Sequence, residues 1–159
     1  MDLIEKILQG DHGATSRLIS KVENNPDHDL EEIRILKQSR PFTHTVGITG
    51  APGVGTSTLI GALIDLYRKN GKKVGVLAVD PTSPFTGGAV LGDRIRMQVH
   101  SLDEGVFIRS MASRGYLGGL SKATADAVTI LNGWGADVMI VETVGVGQDE
   151  VDIMRIADT

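Results

Sequence analysis

A chain of 159 residues, 41% hydrophobic and 23% charged, is long enough for one domain with a proper core. A net charge of −4 and the lack of a basic tract argue against nucleic acid as a partner. The chain has no cysteine, which removes disulfides and thiolate metal sites and fits a cytoplasmic protein; no apolar run is long enough to span a bilayer, and the acidic start MDLIEKILQGD lacks a secretory signal core.

Residues 1–40 read as a helical arm. Leu3, Ile4, Ile7 and Leu8 make one apolar face. Leu18, Ile19 and Val22 make a second, ended by Asn24-Asn25-Pro26, and Leu30, Ile33 and Leu36 a third. Such an arm either packs on the domain that follows or serves as an oligomerisation or partner-docking element. His12 and His28 lie in polar, turn-like contexts and read as solvated.

From residue 41 the pattern alternates strand and helix. Val46–Thr49 is a short buried strand, and Ser57 to about Asn70 a helix with Leu59, Ile60, Leu63, Ile64 and Tyr67 on one side, stopped by Asn70-Gly71. Val74–Val79 is a second strand, ending on Asp80-Pro81, followed by a loop to Gly92 and a short helix from Asp93 to about His100. Val106–Arg109 is a third strand, Ser121 to about Trp134 a helix, and Val138–Val141 a fourth strand ending on Glu142. Continuous apolar strands separated by helices predict an α/β fold, a mostly parallel sheet flanked by helices.

The run VGITGAPGVGTSTL, from Val46 to Leu59, organises the rest. It has the strand–glycine loop–helix layout of a phosphate-binding P-loop. Gly50, Gly53 and Gly55 let the backbone curl so that its amides point inward, and the following helix adds its first-turn N–H groups and positive dipole end. Gly50, Ala51, Pro52, Gly53, Val54, Gly55, Thr56, Ser57 and Thr58 are therefore the candidate nucleotide-binding residues. The pattern G-x-x-x-x-G-K-[ST] places Lys after the last glycine; here Thr56 stands there.

Ligands in open parallel sheets sit beyond the carboxyl ends of the strands. Ser57 can offer a hydroxyl to Mg²⁺, and Asp80, Asp93 and Glu142 are candidate carboxylates for the same ion, directly or through water. A lone acid at a strand end can equally cap the next helix. Glu142-Thr143-Val144-Gly145 has the shape of a switch that senses a γ-phosphate, with the acid in the metal shell and the Gly145 amide on the phosphate. The alternative is an ordinary glycine-rich turn.

Three segments in order, VGITGAPGVGTSTL, VLAVDPTSPFTGGAVLGDRIRM and ETVGVGQ, closely resemble the methylmalonyl-CoA mutase-associated GTPases, the MeaB/ArgK-like family also labelled LAO/AO transport system ATPases or kinases. The resemblance covers about residues 40–159 and implies a SIMIBI-type P-loop NTPase domain behind an N-terminal arm. It implies GTP and GDP as ligands, Mg²⁺, a homodimer, and a role in loading and protecting the cofactor of an adenosylcobalamin-dependent mutase. It also implies phosphate-loop roles for Gly50, Gly53 and Gly55, the Mg²⁺ hydroxyl for Ser57, metal and switch acids at Asp80, Asp93 and Glu142, and phosphate sensing by Gly145. Gln148 ends the family's GVGQ; it is either a water-positioning residue beside Glu142 in catalysis or a solvated loop residue.

Two features depart from the family. Thr56 replaces its Lys, and the guanine-reading N-K-x-D motif does not occur. The chain thus reads as the first half of a longer protein, its domain of 41–159 stopping before the specificity motif and its sheet left with an edge that is normally paired or covered. Competing functions are a nucleotide-impaired module acting by protein contact, and a P-loop ATPase or kinase of the LAO/AO type.

Overall fold

A computed structural model of the chain describes residues 1–25, 30–51, 53–80, 100–112, 122–144 and 154–159. Three helices come first: α1 (Leu3–Leu8), α2 (His12–Asn24) and α3 (Glu31–Ser39). Then follow β1 (His44–Gly50), α4 (Thr56–Lys69), β2 (Val74–Asp80), β3 (Val106–Ala112), α5 (Lys122–Trp134) and β4 (Val138–Val144). Local chemistry sets the ends. Asp2 caps α1 in a capping box with Glu5, and Asp11 caps α2 by accepting from the Ala14 amide. Among the described residues no helix is long and apolar enough to cross a membrane.

The four strands form one parallel sheet in the order β1-β4-β2-β3. β4 lies between β1 and β2, with Glu142 in register with Ile48 on one side and Ala78 on the other. The expected strands are right in place and kind but short. β4 runs on to Val144, so Glu142 sits inside the strand, two residues before its end, because β1 extends its pairing to Gly50. Asp80 is the last residue of β2. The expected helix from Asp93 lies outside the described residues, apart from His100.

Each face of the sheet has its own core. α4 covers one face: Ile60 and Ile64 pack on Ile48, Val74, Val76, Val106, Val138 and Ile140. α5 and the N-terminal helices cover the other. There Ile4, Ile7, Leu18, Ile19 and Leu36 join Ala127, Ile130, Leu131 and Trp134 over Leu77, Phe107, Met139 and Val141. Each Val, Leu, Ile, Phe or Met among them, buried fully, contributes roughly 1.5–3 kcal/mol. Leu59, expected on the apolar side of α4, is half exposed at 51%, because Ile60 and Ile64 take the sheet-facing positions.

His12 is not merely solvated. Its ring packs against Phe107 and Trp134, with centroids 5.3 and 5.2 Å away, and Nε2 donates to Glu104 O at 3.0 Å. Trp134 Nε1 donates to Gly10 O at 3.1 Å, and Arg109 on β3 reaches Ser16, Ser20 and Glu23 on α2. His28 lies outside the described residues. The outer edge of β1 is partly covered: Thr45 O accepts from the Asp158 amide at 2.7 Å, and the Gly47 amide donates to Thr159 O at 2.8 Å.

Candidate functional site

The loop between β1 and α4 owes its course to three glycines. Gly53 and Gly55 have φ of 85° and 95°, a left-handed conformation in which a side chain is strained. Gly50 is needed for space: a Cβ there would lie 2.8 Å from Val54 Cγ2 and 2.9 Å from Thr56 Cγ2. The loop therefore folds back over the end of β1. The Val54 amide donates to Ala51 O at 3.3 Å, and the Val54 side chain is left largely in solvent.

α4 starts directly out of this loop. Gly55 is its N-cap and supplies no side chain to bond the first-turn amides, and the first turn carries no acid. Its helical hydrogen bonding begins with the Leu59 amide on Gly55 O, at 3.0 Å. First-turn amides have no partner within their own helix, so this end of α4 presents N–H groups and positive dipole charge toward the loop. That arrangement favours a phosphate.

Glu142 reaches the same place from β4. It is buried at 7% exposure between Ile48 and Ala78, on the sheet face that α4 covers. Its Oε1 accepts from Thr56 Oγ1 at 2.9 Å. This contact joins the phosphate loop to the strand across 86 positions of sequence. Ser57, the next residue, is also buried. A hydroxyl and a carboxylate beside an anion-binding loop are hard oxygen donors of the kind Mg²⁺ uses, since that ion keeps several waters and takes few protein ligands. Among the described residues no three His, Asp or Glu side chains converge as a metal cage.

The structure thus brings together Gly50, Ala51, Gly53, Val54, Gly55, Thr56, Ser57, Thr58 and Glu142. Asp80 ends β2, the strand next to β4. Pro52, Asp93, Gly145 and Gln148 lie outside the described residues. The bond from Thr56 to Glu142 was not foreseeable from the chain: each residue carried a signal of its own, but nothing local marked the pair.

Sequence comparison places these features among known proteins. The chain spans about half the length of the curated relatives it matches. A Pyrococcus abyssi relative is 60% identical over 158 residues, covering 99% of this chain and 49% of that protein. GTPase ArgK of Escherichia coli is 40% identical over 159 residues, covering 98% of this chain and 48% of that one. Among solved structures, an LAO/AO transport system kinase superposes with a TM-score of 0.76 at 28% identity, covering 98% of this chain and 46% of that chain, so the fold is that of a P-loop NTPase. The family profile of the methylmalonyl-CoA mutase-associated GTPase MeaB matches residues 15–159, and the chain belongs to that family.

Proposed function

We propose that the chain supplies the phosphate- and metal-binding part of a GTP-binding, GTP-hydrolysing accessory protein. Its client is an adenosylcobalamin-dependent methylmalonyl-CoA mutase, whose cofactor it helps to load and protect. The family supports the nucleotide and the mutase. The observation that carries the reading is the loop after β1, its glycines left-handed and its exit the uncapped start of α4, with Glu142 drawn against it.

In this reading the amides of residues 53–58 hold the β-phosphate, and the end of α4 adds its dipole. The Ser57 hydroxyl is a ligand for Mg²⁺, and Glu142 accepts hydrogen bonds from the ion's waters. Asp80 and Asp93 complete the acidic surroundings, Gly145 meets the terminal phosphate, and Gln148 orients water. Mg²⁺, held there by Ser57 and through water by Glu142, would supply positive charge against that developing on the phosphates. The domain of 41–159 does the binding and residues 1–40 form its arm, in a cytoplasmic homodimer.

A nucleotide titration with and without Mg²⁺ tests this. Mg²⁺ is expected to tighten GTP by about tenfold or more, and Ser57→Ala to remove most of that gain while leaving metal-free GDP binding within about twofold. Equal losses in both conditions would reduce Ser57 to a packing role. A second reading, a module that acts by protein contact, is favoured by one feature, Thr56 in the lysine position. Absence of any GDP or GTP binding at millimolar concentration would support it.

A further inference from the structure

We propose that Thr56 is a positioning residue for the metal: its hydroxyl holds the Glu142 carboxylate at the first turn of α4, where that carboxylate accepts from metal-bound water beside the Ser57 hydroxyl. The proposal rests on the GTPase reading above and adds a role for the residue that departs from the P-loop pattern. Both branches of Thr56 are in use. Its methyl Cγ2 lies against Gly50, where an added Cβ would come within 2.9 Å, and its Oγ1 donates to Glu142 Oε1 at 2.9 Å. A β-branched residue is stiff about χ1, so fixing the methyl also aims the hydroxyl. Glu142 is buried among apolar neighbours and has a flexible side chain whose direction something must set.

One hydroxyl donor takes a single site on a carboxylate that has about four. The bond therefore orients Glu142 through one acceptor site only. A Lys at 56 would act differently, reaching past the carboxylate to put its charge on the phosphates. With Thr, the side chain at that position serves the phosphates only through the metal.

The opposite role, a latch that withholds Glu142 from the metal, predicts the opposite sign. The measured quantity is the ratio of GDP dissociation constants in EDTA and in Mg²⁺, for wild type, Thr56→Val and Thr56→Ser. Val keeps the shape without the donor; Ser keeps the donor. Thr56→Val is expected to lower the ratio by about tenfold, the worth of one hydrogen bond to a charged group, and Thr56→Ser to keep it within about twofold. Taking the ratio removes any change that a variant makes in metal-free binding. A ratio unchanged or raised in Thr56→Val overturns the positioning role while leaving the GTPase reading intact. A wild-type ratio near one, or no GDP binding by wild type, sinks both. Emission of the single, buried Trp134 reports folding of each variant, and Thr56→Ala replaces Val if Val does not fold.

Discussion

At position 56 one residue changes both charge and reach. A lysine there is a point charge on the β- and γ-phosphates, and a charge-assisted hydrogen bond of that kind is worth roughly 1.5–3 kcal/mol. Threonine gives that up, and its hydroxyl is already turned to Glu142. What remains for phosphate is the backbone, which makes Gly50 the most exacting position in the loop. In Gly50→Ala the new methyl meets Val54 and Thr56 at under 3.0 Å. Val54 is exposed and can yield, whereas Thr56 can yield only by shifting its bond to Glu142. Overpacking of this kind costs about 1–3 kcal/mol. Because the loop lies outside both cores, the cost should fall on binding: GDP affinity down by about tenfold or more, with Tm nearly unchanged. Calorimetric titration and a thermal melt together check this. A loss of Tm with affinity intact would mean that the loop's shape supports the fold more than the phosphate.

Among the elements, α4 carries the most: its first turn borders the candidate site, its middle makes one core, and its last turn is tied to the approach to β3. Arg68 donates to both carboxylate oxygens of Asp103, from Nε and Nη2 at 2.9 Å each, and the Gly105 amide adds a third bond to Asp103 at 2.9 Å. The Arg68 guanidinium, then the Gly105 amide, hold the Asp103 carboxyl below its ordinary value of 3.8, and the same pairing raises Arg68. A carboxyl lowered on folding contributes stability that is fully present above its unfolded pKa and is lost as pH falls through the folded one. Since about a third of each side chain is exposed, the pair is worth at most about 1 kcal/mol. Asp103→Asn should therefore lower Tm by about 2–4 °C above roughly pH 5, with the difference shrinking toward zero in acid. A difference that is flat across that range would assign the effect to packing rather than to charge.

For the molecule as a whole, sequence periodicity was enough for the parallel sheet and for nearly every described helix, because buried parallel strands and amphipathic helices leave local marks. Strand order leaves none. That β4 enters between β1 and β2 depends on how the crossovers run, and this is what brings Glu142 to Thr56. The N-terminal helices showed their apolar faces, but Leu18, Ile19 and Leu36 would suit any apolar surface; their place over α5 is set by tertiary packing. His12 looked solvated because its neighbours in sequence are polar, while its neighbours in space are Phe107 and Trp134. Of the candidate site, the strand–glycine loop–helix layout could be read in advance because its spacing is local, whereas the meeting of Thr56 with Glu142 could not, because it spans 86 positions.

In the proposed reading a nucleotide sits at one end of the sheet, away from the aromatic contacts that join the N-terminal helices to it. A GDP titration with Mg²⁺, followed by backbone amide resonances, tests that claim most directly. Saturable shifts are expected at Gly53, Gly55, Thr56, Ser57, Thr58 and Glu142, with the amides of α1–α3 and the Trp134 indole unmoved. Shifts centred on the N-terminal helices, or none at these positions with GDP at millimolar concentration, would contradict it.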